Sequence, residues 1–79
     1  MFASSGASIT YEQGKYLYLY TTATATKIQT NVLGQWADVD TTSVGDITIT
    51  KANGTTQTYH CFRTTNTFVA GGTATYRLH

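Results

Sequence analysis

The sequence predicts an all-β fold, a small antiparallel β-sandwich or barrel of about six or seven short strands. Three observations carry that expectation. Thr recurs along the whole length, paired at Thr21-Thr22, Thr41-Thr42, Thr55-Thr56 and Thr64-Thr65, among Tyr, Ile, Val and Phe. Branched and aromatic side chains of this kind fit a pleated, half-buried surface. No window keeps apolar residues at helical spacing for more than a turn, and glycine turns separate short alternating runs.

The chain opens with "MFASSGAS", mostly small residues after Met1 and Phe2, read as a flexible N-terminal arm over residues 1–8 ahead of a single β domain over 9–79. Strands are expected near 7–11, 15–22, 26–33, 46–52, 55–63, 66–70 and 73–78. In "KYLYLYTT" the side chains alternate between faces, so Leu17 and Leu19 share one side and Tyr16, Tyr18 and Tyr20 the other. The leucines suit a core. The tyrosine row, with Tyr11 nearby, needs a cover.

"NVLGQWADV", residues 31–39, is apolar at Val32, Leu33, Trp36 and Val39, and Gly34 disfavours a helix there. It reads as a loop or single turn that tucks Trp36 under the sheet. "DITITKANGTTQTYHCF" is the clearest hairpin, because Asn-Gly tolerates positive φ between alternating runs. A three-residue loop of Ala52, Asn53 and Gly54 sets Ile47 opposite Tyr59 and Ile49 opposite Gln57. That register gathers Ile47, Ile49, Tyr59 and Cys61 on one face. It leaves Asp46 opposite His60 and Thr48 opposite Thr58 on the other. In "TFVAGGTATYRLH" a Gly71-Gly72-Thr73 loop aligns Phe68 with Tyr76, with Ala74 and Leu78 on the same face. Arg77 and Thr75 then point outward.

A chain of 79 residues is one small domain, and at this size only about 60% of the unfolded surface is buried. Such domains usually lean on a disulfide, a metal or oligomerisation. A single cysteine, Cys61, closes no internal disulfide, and two histidines offer little to a metal. A homo-oligomer, or docking on other protein, is the remaining support. Charged residues make up only 11%, with a net of +1, and there is no proline to protect a sheet edge. Lys15, Lys27, Lys51, Arg63 and Arg77 are scattered singly, which disfavours a nucleic-acid partner. No apolar run approaches the roughly 20 residues of a membrane span. The start lacks the basic and apolar segments of a secretion signal, so synthesis in a cytoplasm and a reduced Cys61 are expected.

Catalytic pairings are weak. His60 and Cys61 are adjacent, so on a strand they point apart and no Cys–His couple forms. A buried inert thiol and a surface His60 facing Asp46 are expected instead. Asp38 and Asp40 share a side if extended, but the glycine and distal glutamate of a calcium loop are missing. Asx turns explain them. Asn53-Gly54-Thr55 fits a glycosylation acceptor, yet without a secretion signal it reads as a turn. Thr spacing is too irregular for an ice-binding face. No acid–base pair is positioned, so no enzyme activity, metal or cofactor is expected.

The strongest site candidate is a protein interface made by Tyr16, Tyr18, Tyr20 and Tyr11, since tyrosine is enriched in recognition surfaces. Burial inside the domain is the bland alternative. In its abundant Thr, Ala, Gly and Tyr, few charges and short all-β chain, the sequence resembles small β-rich accessory proteins of tailed-phage virions. The resemblance is compositional and covers the whole chain. It implies a structural virion component, made in the host cytoplasm, that decorates or cements a capsid by contacts with the major capsid protein or another virion protein. A tail, fibre or head–tail part is the alternative place. The N-terminal arm would then add a strand to a neighbour. A carbohydrate-binding module stacking sugars on Tyr16, Tyr18, Tyr20 and Trp36 is the second reading.

Overall fold

The computed structural model describes residues 1–79 in full. Its strands are β1 (Phe2–Ser4), β2 (Ser8–Tyr11), β3 (Tyr18–Thr21), β4 (Ile28–Val32), β5 (Gln35–Val39), β6 (Thr41–Thr50), β7 (Thr56–Thr64) and β8 (Gly72–Leu78). There is no helix. The strands form two four-stranded sheets, ordered β1-β3-β7-β6 and β2-β8-β4-β5, in a sandwich-like arrangement. Every ladder is antiparallel except the short β1–β3 pair.

The core lies where the inner faces meet, around Ile9, Leu17, Leu19, Ile28 and Tyr76. Ala3, Phe62, Val39, Phe68 and Leu78 pack at its margin. Only seven of 79 residues are buried, so a handful of side chains supplies most of the hydrophobic stabilisation. Each fully buried Leu or Ile contributes about 1.5–3 kcal/mol. Tyr76 is buried beside them. Burial pushes its phenol pKa up, a hydrogen bond with Thr30 opposes the shift, and nearby Tyr11 adds to it. The neutral phenol is the form the core accommodates.

Thr64 is the one buried polar residue. Its hydroxyl accepts the Leu17 N–H at 3.1 Å, and its own N–H donates to the Leu17 carbonyl at 2.9 Å. This clasp holds Leu17 in the core although Leu17 lies outside any strand. Thr64→Val keeps the shape and removes the acceptor. It is expected to cost about 1–3 kcal/mol in a urea melt, with Thr64→Ser retaining most of the stability.

The expected hairpin at residues 46–63 forms in the expected register, with Ile47 opposite Tyr59, Asp46 opposite His60 and Thr48 opposite Thr58. Several other expectations are corrected. The 31–39 segment is a β-hairpin, not a loop, and Trp36 lies on the outer face beneath Arg77, 4.1 Å from ring centroid to guanidinium carbon. Leu33 and Gly34 make its turn with φ of 51° and 83°, the geometry that matches strand twist. The 66–70 strand does not form. Phe68 meets Gln13 in a single bridge, and β8 pairs with β2 and β4. Phe68 and Tyr76 still touch, edge to face at 6.2 Å. Residues 41–45, given no strand from the sequence, start the long β6. The segment 1–8 is hydrogen-bonded into its own chain. Phe2–Ser4 runs parallel to Tyr18–Tyr20, so its strand-adding capacity is used within the molecule.

Candidate protein-docking face

Strand alternation sorts the first sheet into two faces. Ala3, Leu19 and Phe62 point to the core. Phe2, Tyr18, Tyr20, Cys61 and Arg63 therefore point outward, paired as Phe2–Tyr18, Tyr18–Arg63 and Tyr20–Cys61. The ladder continues outward through Tyr59 and Ile47. The result is an open groove of about 270 Å³ lined by Phe2, Tyr20, Ile47, Ile49, Tyr59 and Cys61, every one apolar or aromatic. Phe2 is 75% exposed, Ile47 52% and Ile49 50%. Cys61 is the buried floor, a free thiol.

The other side of the same hairpin is polar. The His60 ring nitrogen Nδ1 lies 2.9 Å from the Asp46 carboxylate, and the Thr48 and Thr58 hydroxyls are 3.1 Å apart. The apolar side of this hairpin thus faces away from the second sheet and meets solvent. Hydrophobic side chains are concentrated where the chain itself has nothing to cover them.

The three tyrosines of the row take up this outer face in different ways. Tyr16 lies under the Arg63 guanidinium at 4.4 Å. Tyr18 stacks on Phe2 at 5.0 Å. Tyr20 meets Tyr59 edge to face at 5.7 Å and joins the groove. Tyr11 stands apart from them. It belongs to the second sheet and stacks on Phe68 at 4.4 Å beside the core. Sequence reasoning missed Phe2, Ile47, Ile49 and Tyr59 as surface candidates. The shared face of the last three was legible in the hairpin register, but not that this face is the outer one.

Leu33 is a second exposed apolar point, 99% exposed at the β4–β5 tip and held at positive φ. A branched residue there is strained relative to Asn or Gly. Leu33→Asn is expected to raise stability by about 1 kcal/mol, read as a higher melting temperature.

The remaining candidates stay separate. His60 faces Asp46 while Cys61 lies on the opposite side of β7. Asp38 accepts from Gln29 at 2.8 Å and from Lys27 at 3.1 Å, and these partners hold its carboxyl below the usual range. No three His, Cys, Asp or Glu side chains gather anywhere in the chain. No helix is long and apolar enough to cross a membrane. Comparison with protein-family models, with curated proteins and with solved structures finds no match.

Proposed function

We propose that this chain is a structural component of a larger particle and that it works by docking the outer face of its first sheet on other protein. The carrying observation is the groove of Phe2, Tyr20, Ile47, Ile49, Tyr59 and Cys61, uncovered by the chain itself. Its setting strengthens the reading. The core is small, charge is low, and the net of +1 gives little resistance to association. A standard interface takes about 800 Å² per partner, roughly a sixth of the 5020 Å² surface. Tyrosine and phenylalanine supply such area with few rotatable bonds.

The particle we propose is a tailed-phage virion, and the role is capsid decoration or cement. That choice rests on the compositional resemblance. Seated across junctions between major capsid subunits, each copy adds buried area where the shell is weak. The mechanism is mechanical and needs no cofactor.

The test is cosedimentation with undecorated capsid shells assembled from a tailed-phage major capsid protein. Saturable binding, and a rise in the temperature at which shells break, is the expected result. Binding to tail tubes but not shells moves the role to the tail. Binding to a glycan array with loss in Tyr20→Ala moves it to carbohydrate recognition. Arg63 covers one face of the Tyr16 ring and Phe2 one face of the Tyr18 ring, so each has a single face left for a sugar to stack on.

A further inference from the structure

We propose that two copies of the chain pair edge to edge through β6, antiparallel, about a two-fold axis at Thr48. The idea stands apart from shell docking, because it concerns the sheet edge rather than the face.

β6 is the edge strand of its sheet, and Ser43–Thr50 are all exposed. A long edge presents a row of N–H and C=O groups ready to pair with another chain. The usual protections are thin here. No proline is present, and Asp46 is the only charge between Thr41 and Thr50. A bulge at Ser43/Gly45, with Gly45 at φ 92°, bends the start of the strand. It leaves Gly45–Lys51 as the regular stretch. On the other side of the hairpin, Thr56–Tyr59 extend past the β3 ladder, which ends at Thr21–His60. The hairpin tip therefore stands as two strands alone, a marginal arrangement in water.

The residue pattern selects a second copy as the occupant. A two-fold axis normal to the sheet runs the two edges antiparallel and keeps each face on its own side. Only registers that pair residues of the same face survive. Centring on Asp46 sets the two carboxylates against each other, a like-charge clash. Centring on Ile47 sets each Ile49 against a glycine, Gly45 of the second copy. Centring on Ile49 sets each Ile47 against a lysine, Lys51 of the second copy. Centring on Thr48 pairs Ile47 with Ile49 of the second copy, twice over. On the polar side it pairs the Thr48 residues with each other and Asp46 with Thr50. This register alone puts isoleucine on isoleucine at both positions and charge on hydroxyl.

In that dimer the two apolar grooves join into one continuous strip, because Ile47 and Ile49 line the groove of each copy. The overlap of Gly45–Lys51 is about 23 Å long at ~3.3 Å per residue. A single strand pair of that length buries less than the ~800 Å² per partner of a standard interface. The dimer is therefore weak, with dissociation in the micromolar range. The chain's net charge of +1 sets up little repulsion against it.

Sedimentation equilibrium of the chain alone, from about 10 μM to about 1 mM, tests the pairing. A monomer–dimer equilibrium is expected, weakened at least tenfold by Ile47→Lys. A chain that stays monomeric to the top of that range overturns the proposal, as does a dimer indifferent to Ile47→Lys. Thr48→Cys then reads the register. Directly opposed residues have Cα atoms about 4.5–5.5 Å apart, within disulfide reach. Thr48→Cys is expected to be captured as a covalent dimer in a glutathione buffer. Thr50→Cys, about 13 Å along the strand from its symmetry mate's rung, is not. Equal capture of both, or of neither, overturns the Thr48-centred pairing. No shell enters these experiments, so their failure is distinguishable from a failure of docking.

Discussion

Leu19→Ala is expected to leave the chain largely unfolded at 37 °C. Leu19 is 1% exposed and sits between the sheets with Leu17, Ile28, Ile9 and Tyr76. Removing a buried leucine to alanine costs about 2–5 kcal/mol, transfer and cavity together. A domain of this length has a total stability of only ~4–12 kcal/mol. With seven buried residues, this chain belongs at the lower end. The melting temperature should fall by about 8–40 °C, at ~4–8 °C per kcal/mol. Thermal unfolding followed by far-ultraviolet circular dichroism reads this directly. Tyr20→Ala, one residue along and on the outer face, should shift the melt by a few degrees at most. Equal shifts for the two variants would mean that the sheet's inner and outer faces are wrongly assigned.

Ile47→Lys with Ile49→Lys is expected to have the opposite profile: a melt close to that of the parent chain and loss of binding to shells. Both side chains are about half exposed in the free chain, so little transfer free energy is lost on replacement. Lysine stems keep part of the contact with Tyr59 while the ammonium stays in water. Docking reverses the balance. Two ammonium groups would have to be desolvated against an apolar partner, at several kcal/mol each. A fall in shell affinity of about 100-fold or more follows. A double variant that melts as low as Leu19→Ala would show that these isoleucines serve the chain's own core.

The parts of the fold legible in the sequence were those fixed by local rules. Asn53-Gly54 set the turn of the β6–β7 hairpin, and the opposing alternations set its register. Leu17 and Leu19 proclaimed a core by alternating with tyrosines, and both are buried. What stayed hidden depends on partners distant in sequence. Leu33-Gly34 is a hairpin turn although leucine is an unusual choice for positive φ, so 31–39 read as a loop. Gly71-Gly72 looked like a hairpin loop, but β8 finds β2 and β4, whose residues no local pattern links to it. Phe2 looked like part of an arm because three residues carry no periodicity. Its strand exists through parallel pairing with Tyr18. The site divides in the same way. Tyr16, Tyr18 and Tyr20 were read onto one face, and they share the outer side of the first sheet. Tyr11 was grouped with them by nearness in sequence, while the topology puts it in the other sheet.

Hydrogen exchange by mass spectrometry, on the free chain and on the chain bound to shells, tests the docking face most directly. Protection on binding should fall on peptides covering Phe2–Ser4, Tyr18–Thr21 and the β6–β7 hairpin from Gly45 to Cys61. The β4–β5 hairpin of the second sheet, Ile28–Val32 and Gln35–Val39, should exchange as before. Protection of those strands with the first sheet unchanged, or no change anywhere, would contradict the account.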